Sequence, residues 1–315
     1  MKVVALAGGV GGARLADGLR RTLPAEDLTL IVNTADDFEH LGLKISPDLD
    51  TVTYTLAGIE NPETGWGRAD ETWGFLDSLA RLGGPTWFRL GDRDLAIHIL
   101  RTSRLDSGLS LSEVTQHIAA SLGIRVALLP MSDDPVRTIV GSDDGELPFQ
   151  EYFVARGCQP VVRSFRFEGA EAARPAPGVV EALTRAEAIL LAPSNPWVSL
   201  DPILAVPGIR DLLRSKPAVG VSPIIGGRAL KGPVAKMAAE LGLPVSPKTI
   251  AAHFRSVLSG FVLDSADAEE ADPIAQTGLR TLVTNTIMRD GASRAALAAE
   301  MLGLARALAD GAREP

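Results

Sequence analysis

Residues 2–19 read KVVALAGGVGGARLADGL, and this stretch sets the fold class. A short apolar run, Val3–Ala7, is followed at once by Gly8, Gly9, Gly11 and Gly12, then by a segment with Leu15 and Leu19 at helical spacing. A buried strand, a glycine-rich turn and a helix in that order open a parallel α/β sheet. Glycine loses more chain entropy on folding than any other residue, so four in five positions imply a backbone shape that side chains do not permit. Backbone N–H groups converging at a helix start, with the helix dipole behind them, form an anion site. The loop therefore reads as a phosphate cradle, with a tight strand–helix turn as the plain alternative. It matches neither standard fingerprint. Gly-x-Gly-x-x-Gly counted from Gly9 ends on Arg14, and the Gly-Lys-Ser/Thr of a P-loop is missing.

Outward from this unit, LTLIVN, RVALLP, AILLAP, PAVGVS and FVLDS are further apolar runs bounded by turn residues, each a buried strand by pattern. Strands alternating with helical segments predict a mostly parallel sheet covered on both faces. Residues 58–178 read differently. Helical patterns such as ETWGFLDSLARL and LSEVTQHIAASL crowd there with short strand-like pieces, and FEGAEAARPAPG is a loop by composition. The expected organisation is a nucleotide-binding core of residues 1–57 and 179–315 with an inserted, largely helical subdomain at 58–178. Near the end, Leu297, Met301, Leu304 and Leu308 fall on one helical face, a packing stripe.

In doubly wound sheets ligands lie beyond the carboxyl ends of the strands. Ser194 and Asn195 follow one strand, and Ser222, Gly226 and Gly227 follow another, so these loops are candidates to wrap a nucleotide. Arg228 and Lys231 are either phosphate-neutralising or solvated. After the second strand, NTADDFEHLGLKISPDLDT carries Asp36, Asp37, Asp48 and Asp50. A helix N-cap explains one of these and leaves the others unexplained. Hard oxygen ligands beside a phosphate site point to Mg²⁺, which takes one or two carboxylates together with phosphate oxygens and waters. A second charged cluster holds Arg89, Asp92, Arg93 and Asp94; His40, His98, His117 and His253 have no metal-ligand spacing.

At 315 residues, 46% hydrophobic and 22% charged, the composition is that of a globular chain with a full core. A net charge of -8 argues against a nucleic-acid binder, whose footprint is basic. The one cysteine, Cys158, excludes a disulfide and a thiolate cluster and reads as structural. No stretch approaches the roughly 20 apolar residues of a membrane span. A cytoplasmic protein is expected.

GGVGGARL, NTADDFEHLGLKISPDLDTVTYTLAG, GWGRADETW, LGDRDLAIHILRT, LLPMSDDPVRT, APSNPW and SPIIGGRALKGP occur in this order along most of the chain. In these motifs the sequence resembles the 2-phospho-L-lactate transferase family of coenzyme F420 biosynthesis. The resemblance implies a Rossmann-like α/β fold with an added subdomain, a homodimer and Mg²⁺. It also implies transfer of a phospho-carboxylic acid (lactyl, enolpyruvyl or glyceryl) from a GMP-linked diphosphate donor to the ribityl hydroxyl of the deazaflavin Fo, releasing GMP. On that resemblance Asp50 and Arg89 contact the deazaflavin. Trp66, Trp73 and Trp87 are candidates to stack on its ring, of which Trp87 is preferred. Asp36 and Asp50 become the candidates for binding Mg²⁺ or orienting the attacking hydroxyl. Gly8, Gly9, Gly11, Gly12, Ser194, Asn195 and the Ser222–Gly227 loop are placed around the nucleotide. Two other readings remain open: a nicotinamide oxidoreductase with Asp36 on the ribose, and a non-catalytic nucleotide sensor.

Overall fold

A computed structural model of the chain describes residues 1–229 and 231–311. Seven strands, β1 (Val3–Ala7), β2 (Leu28–Val32), β3 (Ala127–Pro130), β4 (Ala188–Leu191), β5 (Ala218–Val221), β6 (Gly260–Asp264) and β7 (Arg280–Thr284), form one sheet in the order β7-β6-β5-β4-β1-β2-β3. Every pairing is parallel. The chain winds outward from β1 to β2 and β3, then returns to place β4 on the other side of β1, so the strand order reverses between β1 and β4. The fold is the expected doubly wound α/β type.

The pleat of β1 divides the core. Val3, Ala5 and Ala7 pack on one face with Leu15 and Leu19 of α1 (Gly9–Thr22) and with Leu297, Met301 and Leu304 of the C-terminal helix (Gly291–Gly311). Val4 and Leu6 pack on the other face with Ile189, Leu191, Ile203 and Phe261. Strands buried on both faces read as continuous apolar runs, which is why β1 was legible. α1 crosses the C-terminal helix closely at Gly18, where a Cβ would lie 2.1 Å from the Arg294 carbonyl oxygen.

The segment 58–178 is only partly a separate layer. It supplies β3, the edge strand beside β2, and so adds to the main sheet directly. α2 (Pro47–Ala57) packs with α4 (Asp92–Asp106) and α5 (Leu111–Ser121) around Tyr54, Ile97, Val114 and Ile118. α3 (Gly74–Arg81) precedes α4, and a three-stranded antiparallel sheet at 137–168 follows β3. α5 begins with the capping box of Ser110 and Glu113. A short hairpin, Phe38–His40 with Leu43–Ile45, leads from β2 into α2.

Candidate active site at the strand-order reversal

The glycine turn lies at the reversal between β1 and β4, and protein groups occupy its surroundings. Gly8 N donates to Ser194 Oγ at 3.1 Å, and that hydroxyl donates back to the Gly8 carbonyl at 2.7 Å. Gly9, at φ +60°, donates its N–H to Asp48 Oδ1 at 2.7 Å. A Cβ on Gly8 would fall 2.4 Å from Asp48 Oδ2, and one on Gly11 would fall 2.3 Å from the Pro193 carbonyl. One on Gly12 would meet Ser194 Oγ at 2.8 Å. The four glycines thus let α1 close against the Pro193–Ser194 loop and the Asp48 carboxylate. The N–H groups of Gly8 and Gly9 already have partners within the chain.

Around this turn the carboxylates divide into two groups. In the first, Asn33 Nδ2 at the end of β2 donates to Asp36 Oδ1 at 2.6 Å and to Asp48 Oδ2 at 3.0 Å, with the Val198 carbonyl at 3.2 Å. Gln150 Nε2 approaches Asp36 Oδ2 at 3.4 Å. Asp37 accepts from Ser46 Oγ at 2.7 Å, and its Oδ1 is buried with no partner among the described residues. All three are buried. Loss of hydration pushes Asp48 up to about 6 and Asp37 up to about 7. Asp36 is held well above the ordinary carboxylate range by burial, then by the neighbouring charges of Asp48 and Asp37. A cavity of about 210 Å³ adjoins the cluster, lined by Asp37, Ser46, Phe38, Arg137 and the apolar Leu105 and Leu109.

The second group is a brace between α2 and α4. Asp50 is gripped by both terminal nitrogens of Arg101, one at 3.0 Å and the other shorter. His98 Nδ1 lies 3.3 Å from Arg101 Nη1, and His98 Nε2 lies 3.3 Å from Asp94 Oδ1, which also accepts from the Tyr54 hydroxyl. Burial lowers the Arg101 pKa, but the Asp50 charge outweighs it and the net shift is upward. Burial opposes ionisation of Asp94, and His98, Tyr54 and Arg101 overcome it to hold the carboxyl below its usual range.

The sequence offered Asp36 and Asp50 as a pair, whereas the structure pairs Asp36 with Asp48. Asp50 and Asp48 are two residues apart on a helix, so they face different directions. Asp50 makes no hydrogen bond or ion pair with Arg89 among the described residues. The Arg89 guanidinium instead lies 4.2 Å above the Trp73 ring. Trp87 is partly exposed and packs with Phe38, His40 and Phe88. Trp66 is half exposed on a neighbouring loop. Asn195 caps the turn of helix that follows it, accepting from Trp197 N at 3.1 Å. Ser222 is buried and bonds locally to Ile224. Gly226 and Gly227, at φ +56° and +70°, form the two-residue turn of a small hairpin, Ile224–Ile225 with Arg228–Ala229. Two successive positive φ values are what a type I′ turn requires.

Asn33 and Arg101 were missed in the sequence. Arg101 had a signal: Asp94, His98 and Arg101 follow one another at spacings of four and three on α4, which is one polar stripe on a helix. Asn33 opens the acidic segment, but nothing in its spacing says that its amide bridges Asp36 and Asp48, which meet only when the segment folds back.

Residues 3–289 match the family described as 2-phospho-L-lactate transferase CofD. A phosphoenolpyruvate transferase of Streptomyces griseus is 45% identical, with 97% of this chain and 98% of that protein covered. A 2-phospho-L-lactate transferase of Methanopyrus kandleri is 41% identical, with 98% and 99% covered. A solved structure, described as a UPF0052 family member from Bacillus halodurans, superposes with a TM-score of 0.60 at 14% identity, covering 96% of this chain and 98% of that one, a likeness of fold. Among the described residues no helix is long and apolar enough to cross a membrane. Relatedness along nearly the whole length of the sequence places this chain in the 2-phospho-L-lactate transferase CofD family.

Proposed function

We propose that this protein transfers a phospho-carboxylic acid from a GMP-linked diphosphate donor to the terminal ribityl hydroxyl of the deazaflavin Fo. The hydroxyl oxygen forms a bond to the phosphorus that bears the acid. The P–O bond to the bridging oxygen breaks, GMP leaves with that oxygen, and the hydroxyl proton passes to a carboxylate. Family membership supports this reading, and the observation that carries it is the meeting of Asp36 and Asp48 on one amide, Asn33 Nδ2, beside the start of α1. An oxidoreductase would need Asp36 free for a ribose, but it is buried and bonded to Asn33. Neither that alternative nor a sensor has support from the relatives.

Transfer of a phosphoryl-type group depends on positioning and charge neutralisation more than on covalent help. The residues present fit Mg²⁺: two hard carboxylates lie buried together, each with its charged form disfavoured until a cation arrives. Asp36 and Asp48 are assigned to hold it, and the ion would offset the donor's diphosphate charge. Asn33 keeps the two carboxylates in register. Proton uptake by a carboxylate of the cluster is worth roughly 10²–10⁴-fold in rate. The Asp50–Arg101 brace holds α2, and with it Asp48, against α4.

The enolpyruvyl donor is the first candidate, because relatives named for phosphoenolpyruvate reach 46% identity and those named for 2-phospho-L-lactate reach 41%. Purified protein with Fo, Mg²⁺ and competing lactyl, enolpyruvyl and glyceryl donors should release GMP and yield a phosphodiester, predominantly enolpyruvyl, by mass spectrometry. No product from any donor refutes the reading. A homodimer is proposed from the family resemblance, to be checked by sedimentation. A reducing cytoplasmic setting fits the free Cys158.

A further inference from the structure

We infer that Arg14 and Lys231 are the paired cations that receive the donor's diphosphate, held side by side by the turn at Thr64–Gly65. The inference rests on the proposed nucleotide diphosphate donor and goes beyond it in naming the residues that meet the anion. Arg14 stands on α1 one turn beyond Val10. Its Nη1 donates only to a carbonyl, that of Met288, at 3.2 Å. Lys231 Nζ likewise donates to a carbonyl, that of Thr64. Among the described residues neither cation forms an ion pair with a carboxylate. Gly65, at φ +77°, locates their meeting point. A Cβ there would lie 2.9 Å from Val10 Cγ1, 3.3 Å from Lys231 Nζ and 3.5 Å from Arg14 Nη2. Two cations from distant parts of the chain therefore flank one spot over the first turn of α1.

Like charges gathered without an ion-pair partner are unfavourable, and the molecule treats two of its more enclosed arginines differently. Arg101 is matched by Asp50, and Arg294 by Asp17 and Glu60. The first turn of α1 carries no acidic residue, and the helix dipole adds positive potential there. Burial and then the Arg294 charge make Arg14 harder to keep protonated, with Glu60 partly offsetting them; burial and then Arg14 do the same to Lys231. An anion reverses both effects. The N–H groups of Gly8 and Gly9 are engaged by Ser194 and Asp48, and Arg14 and Lys231 supply positive charge beside them. Of the two basic residues in the loop after β5, geometry selects Lys231, because its Nζ reaches the Thr64–Gly65 turn beside Arg14, whereas Arg228 belongs to the hairpin.

The test is calorimetric binding of inorganic pyrophosphate, GDP and guanosine to wild type, Arg14→Gln and Lys231→Gln, with Arg14→Lys and Lys231→Arg as charge-keeping controls. The expected result is a rise in Kd of tenfold or more for pyrophosphate and GDP in each Gln variant. Guanosine binding should be unchanged, and affinity should largely recover in the controls. Wild-type binding of pyrophosphate without GDP would keep the anion subsite and sink the nucleotide donor. Equal pyrophosphate affinity in wild type and both Gln variants, or no wild-type binding of pyrophosphate, overturns the subsite.

Discussion

Replacing Asp48 by Asn should remove a pH-dependent instability that the acidic cluster builds into the metal-free fold. Burial raises Asp48 to about 6, while an aspartate in the unfolded chain titrates near ~3.9. Below pH ~4 both states carry the proton. Between ~4 and ~6 the folded chain keeps a proton that the unfolded chain has lost, so stability is present at low pH and is lost as pH rises. A shift of two units corresponds to about 3 kcal/mol. With an unfolding entropy near ~2.1 cal/mol/K per residue, that is a fall in Tm of about 4–5 °C for a chain of this length. Asp37, pushed up to about 7, acts in the same direction and extends the fall to higher pH. Asp94, held low by His98, Tyr54 and Arg101, loses its contribution only in more acidic solution. Calorimetric melts in EDTA from pH 4.5 to 7.5 should therefore show the wild-type Tm falling with pH and Asp48→Asn falling less. Mg²⁺ should restore the wild type at pH 7.5 and leave the variant unmoved. A wild-type Tm that is flat or rising over this range, or the same slope in Asp48→Asn, refutes the reasoning.

Gly11→Ala sets a methyl 2.3 Å from the Pro193 carbonyl and should cost about 1–3 kcal/mol in urea denaturation, as overpacking does. Arg101→Met leaves Asp50 buried without a partner and should lose about 3–5 kcal/mol, much of it recovered when Asp50→Leu is added. Trp73→Leu removes the ring beneath Arg89; at about 0.5–1 kcal/mol for the lost cation–π contact, KM for the deazaflavin should rise roughly 2–5-fold with kcat kept, if Arg89 positions that substrate.

The acidic segment shows how far local pattern reaches. Four aspartates in NTADDFEHLGLKISPDLDT marked a polar site after β2, and Asp36, Asp37 and Asp48 do converge there. Which aspartate faced which was not legible. Asp48 and Asp50 differ by two positions on α2, and the choice between them fell to Asn33 on one side and Arg101 on the other. β7 was passed over because its residues are half exposed and its chain includes Arg280 and two threonines, a pattern weaker than the fully apolar runs of the inner strands. RVALLP reads as a sheet strand from its own apolar pattern although it lies within 58–178, and which strand it joins, here β2, depends on its partner and not on the helices that flank it in sequence.

Sequence alone determined the doubly wound architecture, because strand burial and helix amphipathicity are periodic and each period is written locally. It also determined that glycine had to stand at positions 8, 9, 11 and 12, and which family the motifs resemble. Only the tertiary structure decided what the glycines admit: the Pro193–Ser194 loop and the Asp48 carboxylate, brought in from 186 and 39 residues away along the chain. It likewise decided that Arg14 and Lys231 share one spot, with no ion pair to a carboxylate from either among the described residues. The reason is the same in each case. The energy of a charge or a close contact is set by its neighbours in space, and those are chosen only when distant segments pack.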